Sequence, residues 1–121
     1  MKVLVVDDSQ MTRMVAKNCL NNLGMKDVEE AEDGVEAMKV VNSKEVDVIF
    51  SDWNMPNMTG LELLIEVRKQ FADLPFIMIT TEGSKERVLE AMKHGVNDYL
   101  AKPFTPAALN EKLKKWVGAP A

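Results

Sequence analysis

The sequence predicts an α/β fold in which five parallel strands form one doubly wound sheet with helices on both faces. Three short apolar runs typical of buried strands and two weaker strand-like segments alternate along the 121 residues with five segments of helical apolar spacing. Such alternation requires a crossover helix between parallel strands, and the crossovers cover both faces of the sheet. The length fits one domain spanning residues 1–121.

The five predicted strands differ in burial. Residues 3–6, 47–51 and 76–79 are nearly unbroken apolar runs, as expected for strands covered on both faces. Residues 27–31 form a weak, charged strand that we expect near an edge of the sheet. Residues 98–101 are the last short strand.

Each predicted helix begins near a residue that can cap its first turn. Asp33 and Thr59 each stand three residues before a glutamate, which is the capping-box arrangement. The helical spacing assigns apolar residues to the inward faces, among them Val15, Val35 and Met92.

Composition excludes several classes of protein. The net charge of −4 argues against nucleic acid as the main partner. No run approaches the roughly 18 apolar residues of a membrane span, and the apolar run at residues 3–6 is too short for a signal peptide. The single cysteine, Cys19, permits no internal disulfide. We therefore expect a cytoplasmic protein without a membrane or nucleic-acid partner.

Polar residues follow four of the predicted strands. Asp7 and Asp8 end the first strand, Asp52 ends the third, Thr80 the fourth and Lys102 the fifth. Because parallel strands share one carboxyl edge, where ligands of such sheets bind, we expect these residues to lie together.

Three clustered carboxylates indicate a cation and a reaction. At 4 Å and an effective dielectric constant near 20, each pair of charges repels by roughly 4 kcal/mol. A hard divalent cation removes this repulsion, and Mg²⁺ is the natural candidate. Asp52 could then attack phosphorus and form an aspartyl phosphate, with Lys102 pairing with one phosphoryl oxygen and Thr80 hydrogen-bonding another.

These motifs also resemble a known family. Over essentially its whole length the chain resembles the receiver domain of bacterial two-component response regulators, and most closely the single-domain members that act in chemotaxis. The resemblance implies a flavodoxin-like fold with strand order 2-1-3-4-5. The matching motifs are Val5-Val6-Asp7-Asp8-Ser9, Ala31-Glu32-Asp33-Gly34, Ser51-Asp52-Trp53-Asn54-Met55-Pro56, Ile79-Thr80 and Lys102-Pro103-Phe104, whose Lys102–Pro103 bond is cis in the family.

The resemblance also implies the roles of the metal-site residues. Asp52 matches the phosphoacceptor. Asp8 and Asp52 match the side-chain ligands of Mg²⁺, Asp7 matches a ligand that acts through water, and Asn54 matches a ligand through its backbone carbonyl.

Further positions match the switch of the family. Thr80 and Lys102 match the pair that responds to the phosphoryl group, and Tyr99 matches the aromatic residue that turns inward on activation. Asn54 and Glu82 match the residues that tune hydrolysis of the phosphate.

The implied function is that of a stand-alone, monomeric response regulator with no output domain. It would accept a phosphoryl group from a chemotaxis-type histidine kinase and switch binding to a flagellar motor switch protein, with a phosphatase as a further partner. The implied readout surface comprises the helix that starts at Ser84, the strand holding Tyr99 and the last helix, including Lys85 and Lys112.

Three alternatives remain open. The chain could relay phosphate to another protein or be a piece of a longer regulator. It could instead be a phosphatase of the aspartyl-phosphate type, although such enzymes need a second acid two residues after the nucleophile, where Asn54 stands. A flavin-binding domain is the third, but Asp7 and Asp8 would face the anionic phosphate of the cofactor.

Overall fold

Strands and helices alternate strictly along residues 1–81 and 85–117, which the computed structural model describes. The elements are β1 (Lys2–Val6), α1 (Gln10–Asn22), β2 (Asp27–Ala31), α2 (Gly34–Ser43), β3 (Val48–Asp52), α3 (Gly60–Gln70), β4 (Phe76–Thr80), α4 (Lys85–Lys93), β5 (Asp98–Ala101) and α5 (Pro106–Val117). Ser84, the expected start of the fourth helix, lies outside the described residues. Among the described helices, none is both long and apolar enough to cross a membrane.

All strand pairs are parallel, and the strand order is β2-β1-β3-β4-β5. This order confirms the predicted fold class. The charged strand β2 lies at an edge, as expected. Its acidic side chains pair with lysines: Lys2 Nζ is 2.9 Å from an oxygen of Asp27, and Lys44 Nζ is 2.6 Å from an oxygen of Glu29. Charges on an exposed edge disfavour pairing with further strands.

Two hydrophobic layers flank the sheet. Alternate residues of each central strand point to opposite faces, so that Leu4 and Ile49 pack with α2, α3 and α4 while Val5 and Phe50 pack with α1 and α5. β3 and β4 are buried along their whole lengths. The carboxyl ends of these strands are therefore held in fixed positions by packing on both sides.

Three predicted inward residues are in fact exposed. The exposed fractions of Val15, Val35 and Met92 are 47%, 42% and 61%. The assignments were wrong because each helix buries only a narrow stripe against the sheet. Small side chains lie where the helix axis comes closest to the sheet. The fully buried small residues of these helices are Ala16, Ala37 and Ala91.

Capping residues start the helices on either side of the β3–α3 loop. Thr59 and Glu62 form the predicted capping box of α3: the Glu62 N–H donates to Thr59 Oγ1 at 3.2 Å, and the Thr59 N–H donates to Glu62 Oε1 at 3.0 Å. At α2, the Glu36 N–H donates to Asp33 at 2.9 Å, whereas the Glu36 carboxylate accepts from the N–H of Glu32, one residue before the cap.

A half-buried arginine of α3 ties together the end of the sheet opposite the strand carboxyl ends. The Arg68 guanidinium donates four hydrogen bonds to loop groups that flank β4 and β5. The acceptors are the carbonyl oxygens of Phe71, Leu74 and Gly95 and the amide oxygen of Asn97, at 2.7–3.0 Å. Burial lowers the pKa of Arg68 from its usual value, and its hydrogen bonds satisfy carbonyls that would otherwise lack partners.

Candidate functional site

Three carboxylates meet at the carboxyl edge of the sheet. Asp52 is the last residue of β3, while Asp7 and Asp8 directly follow β1. One oxygen from each of the three lies within 4.8 Å of the others. Asp7 and Asp52 are buried and Asp8 is exposed, so the cluster opens to solvent on one side. The parallel sheet thus brings the three acids together, because β1 and β3 are neighbours.

Lys102 supplies the positive charge closest to this cluster among the contacts described. Its Nζ is 2.6 Å from an oxygen of Asp7 and 3.4 Å from an oxygen of Asp52. The residue follows β5, and its backbone N–H donates to the carbonyl of Thr80 at 3.0 Å. The lysine peptide is therefore held by the end of β4, and the side chain reaches across to β1 and β3. The Lys102–Pro103 bond is cis, as the resemblance implies.

The electrostatics of Asp52 favour a bound cation. Burial raises the pKa of Asp52, and the negative charge of Asp7 adds to the effect; Lys102 and the Trp53 N–H oppose it without overcoming it. The folded protein therefore disfavours the ionised form of this carboxylate. The acids supply the oxygen ligands that Mg²⁺ prefers, and its charge would offset their repulsion. The residues present fit a magnesium site.

Local hydrogen bonds hold Asp7 in place. One of its oxygens accepts the Ser9 N–H at 2.8 Å, and its own N–H donates to the Ala31 carbonyl at 3.1 Å. Arg13 of α1 donates to the Asp7 carbonyl. Ser9 also caps α1 by accepting the N–H of Thr12 at 3.3 Å. The turn that ends β1 and starts α1 thus fixes one side of the acidic cluster.

The β3–α3 loop, residues 53–59, fixes the other side. The Trp53 N–H donates to an oxygen of Asp52 at 2.9 Å, and the Trp53 carbonyl accepts the Gly60 N–H at 2.8 Å. A Cβ atom at Gly60 would overlap the carbonyl oxygen of Asp52, so only glycine permits this approach. Asn57, at φ 66°, donates to Asp33 at 2.8 Å and ties the loop to the start of α2.

Thr80 and Tyr99 lie on the neighbouring strands. Thr80 is buried at the end of β4, one position after Ile79, which pairs with Asp52. Tyr99 of β5 pairs with Met78 and is half-buried. Its hydroxyl donates to the carbonyl oxygen of Arg87 at 3.0 Å, and burial raises the pKa of the phenol.

The remaining predicted positions are spread more widely. Lys85 is exposed at the start of α4. Lys112 of α5 is engaged, because its Nζ is 3.0 Å from an oxygen of Asp98. Glu82 lies outside the described residues. Of the two lysines that the resemblance assigns to a readout surface, Lys85 is thus exposed and Lys112 forms an ion pair.

Sequence reasoning did not single out Arg87, which contacts the β3–α3 loop. Its guanidinium lies 4.9 Å from the centre of the Trp53 ring, and its Nη1 is 3.4 Å from Asn54 Oδ1. Asn54 is otherwise exposed. A contact between residues so distant in the chain has no local sequence signal.

Comparisons with known proteins agree with this geometry. The profile of the response regulator receiver domain matches residues 3–114. The chain is 54% identical to the chemotaxis protein CheY homolog of Campylobacter jejuni, covering 98% of this chain and 93% of that protein.

Solved structures are similar over nearly their full lengths. The chemotaxis protein CheY4 of Vibrio cholerae matches with a TM-score of 0.91 and 41% identity, covering 96% of this chain and 98% of that one. The receiver domain of a sensor histidine kinase of Pseudomonas aeruginosa matches with a TM-score of 0.88 and 30% identity, covering 98% of each chain. That structure has a magnesium ion coordinated in its active site cleft.

Proposed function

The chain belongs to the response regulator receiver domain family, and from that premise we propose that it accepts a phosphoryl group on Asp52 and thereby switches the binding of a partner protein. The observation that carries the proposal is the buried Asp52 carboxylate, clustered with Asp7 and Asp8 and 3.4 Å from Lys102. The likeness to CheY proteins of Campylobacter jejuni and Vibrio cholerae supports a role in chemotaxis.

The proposed reaction is transfer of a phosphoryl group from a phosphohistidine of a kinase. An oxygen of Asp52 forms a bond to phosphorus while the bond from phosphorus to the histidine nitrogen breaks, and the imidazole leaves with the electron pair of that bond. Lys102 would pair with a phosphoryl oxygen, and the contacts of its ammonium with oxygens of both Asp7 and Asp52 support this role.

Mg²⁺ would be held by residues of the same cluster. Asp8 and Asp52 would act through their side chains, Asp7 through water and Asn54 through its backbone carbonyl. When bound, the ion supplies positive charge that offsets the negative charge of the phosphoryl oxygens. The 4.8 Å cluster supports this assignment, as does the magnesium ion in the similar Pseudomonas aeruginosa receiver domain.

The proposed switch is a shift between two populations. Phosphorylation adds about −1.5 to −2 charge at Asp52. Thr80 would hydrogen-bond the new oxygens and move inward, leaving room for Tyr99. Asn54 and Glu82 would tune how fast water removes the phosphoryl group.

The proposed partners are a chemotaxis-type histidine kinase upstream, a flagellar motor switch protein downstream and a phosphatase that ends the signal. The readout surface would be formed by α4, β5 and α5, with Lys85, Tyr99 and Lys112 on it. A monomer in the cytoplasm fits this role. The domain would be modified about once and would not turn over a substrate.

Labelling with a small radioactive phosphodonor tests the assignment. Wild type should incorporate label only in the presence of Mg²⁺, and Asp52→Asn should incorporate none. Asp73→Asn, a matched change at an exposed acid beyond α3, should label like wild type. Label retained in Asp52→Asn would overturn the proposal, and steady-state hydrolysis of phosphoesters would indicate the phosphatase instead.

Binding of a motor-switch peptide tests the output. The peptide should bind more tightly when Asp52 carries a phosphate mimic. Equal affinity in both states would reject the motor partner while leaving the phosphoacceptor assignment intact.

A further inference from the structure

Arg87 contacts the two residues that directly follow Asp52. The guanidinium lies over the buried Trp53 ring, 4.9 Å from its centre, and Nη1 is 3.4 Å from Asn54 Oδ1. A cation over an indole face is attracted by the negative charge of the ring face. The first turn of α4 is thus attached to the β3–α3 loop by a side chain.

The backbone of the same residue is attached to β5. The Tyr99 hydroxyl donates to the Arg87 carbonyl oxygen at 3.0 Å. Tyr99 also lines a partly open cavity of about 280 Å³ against α4. A displacement of the first turn of α4 that carries the Arg87 backbone would therefore change the hydrogen bond at Tyr99.

The contact also orients Asn54. A guanidinium has only donors, so Asn54 must turn its amide oxygen, and not its nitrogen, towards Arg87. The amide NH₂ group is then directed away from the arginine. Arg87 thus favours one orientation of a polar group two residues after Asp52, through a long contact of 3.4 Å.

We propose that Arg87 is a positioning residue that fixes the Asn54 side chain and transmits the charge state of Asp52 to Tyr99. The inference rests on the proposed function, because phosphorylation of Asp52 is the event that would be transmitted. A phosphoryl group on Asp52 adds negative charge beside the loop, and this charge competes with Asn54 and Trp53 for the guanidinium. When the guanidinium leaves the loop, the first turn of α4 is free to shift, and a shift that carries the Arg87 carbonyl changes the acceptor of the Tyr99 hydroxyl.

The metal-free, unphosphorylated protein provides the first test. Coupling is reciprocal, so Tyr99→Phe should move the ¹⁵N-indole resonance of Trp53, which is separable from that of the only other tryptophan. In an Arg87→Ala background the same change at Tyr99 should move the Trp53 resonance by less than a quarter as much. A Lys93→Ala background, which removes a cation near the other end of α4, should behave like wild type.

Two results of this test would overturn the inference. Tyr99→Phe could move the Trp53 resonance equally with and without Arg87, which would show another route between the sites. It could also leave Trp53 unmoved in wild type, which would show no coupling. Arg87→Lys keeps a cation for the Trp53 ring but lacks the planar guanidinium with its several donors. In this background Tyr99→Phe should move the Trp53 resonance by more than in Arg87→Ala and by less than in wild type.

The second test uses the phosphorylated protein. The chain has one tyrosine, so fluorotyrosine reports Tyr99 alone in ¹⁹F spectra. Phosphorylation should move this resonance in wild type. In Arg87→Ala, Asp52 should still take the label while the movement falls at least twofold; an undiminished movement would contradict the inference. Absence of label in wild type would refute the proposed function, and the metal-free comparison would still decide the role of Arg87.

Discussion

Replacing Asp52 with asparagine should stabilise the metal-free protein at pH 7. The carboxylate lies within 4.8 Å of Asp7 and Asp8 and 3.4 Å from the Lys102 ammonium. At an effective dielectric constant of about 20, repulsion by Asp7 amounts to roughly 3.5 kcal/mol and attraction to Lys102 to roughly 5 kcal/mol, while the exposed Asp8 acts through solvent and adds roughly 1 kcal/mol of repulsion. These charges nearly cancel, so burial of the carboxylate, which is the largest influence on its pKa, sets a net penalty of about 2 kcal/mol for the ionised form. The free energy of unfolding of Asp52→Asn should exceed that of wild type by about this amount.

The gain should depend on pH in a defined direction. Burial and the charge of Asp7 raise the pKa of Asp52 above the 3.8 of an ordinary aspartate. Between these two pKa values the native state binds more protons than the unfolded state, so wild type loses stability from this group as pH rises. The penalty is complete above the raised pKa and absent below about pH 3.8. The advantage of Asp52→Asn should therefore shrink as the pH is lowered towards 4.

Urea unfolding in EDTA and in Mg²⁺ provides the assay. In EDTA at pH 7 the midpoint of unfolding of the variant should lie at a urea concentration about 1 M higher than that of wild type, if the free energy of unfolding falls by roughly 2 kcal/mol per molar urea. Saturating Mg²⁺ stabilises the state that binds it, by about 2.7 kcal/mol at a hundredfold excess over Kd, and should favour wild type enough to remove the difference. Asp73→Asn should match wild type to within about 0.5 kcal/mol at every condition, because the exposed Asp73 only weakly favours the charge of Arg68. The reasoning fails if Asp52→Asn is no more stable in EDTA at pH 7, or if its gain is undiminished at pH 4.

Two further substitutions test the packing that positions the site, each by urea unfolding. Gly60→Ala should lower the free energy of unfolding by about 3 kcal/mol, because the new Cβ would meet the backbone carbonyl of Asp52. Gly34→Ala should lower it by less, because the flexible Met58 side chain can move away. Equal losses in the two variants would contradict this account. Arg68→Gln should lower the free energy of unfolding by about 2–3 kcal/mol, because carbonyls just before β4 and β5 lose their hydrogen-bond donors. A loss below about 0.5 kcal/mol would show that water replaces the guanidinium.

The convergence of the site residues could be predicted from sequence because it follows from strand polarity. A run such as Val48–Asp52 identifies a buried strand and its carboxyl end from neighbouring residues alone. Once the strands are parallel, their ends must share an edge. Asp7, Asp52 and Lys102 then approach one another without any knowledge of loop paths.

Helix faces and long-range side-chain contacts could not be predicted in this way. Apolar spacing shows that a helix has an inward stripe but does not fix its width, and this led to the wrong assignment of Val15 and Met92. The contact between Arg87 and Trp53 depends on how the β3–α3 loop returns towards α4. No pattern within either segment encodes that path.

The Arg68 hydrogen bond to Gly95 anchors one end of α4 to α3. Gly95, just beyond the C-terminal end of the helix, is fastened to α3 at 3.0 Å, while the other end carries Arg87. The helix has nine residues and is therefore roughly 13 Å long. A tilt of α4 about Gly95 would displace the first turn, which holds Arg87, by more than the last turn, and the outer face of the helix would move with it.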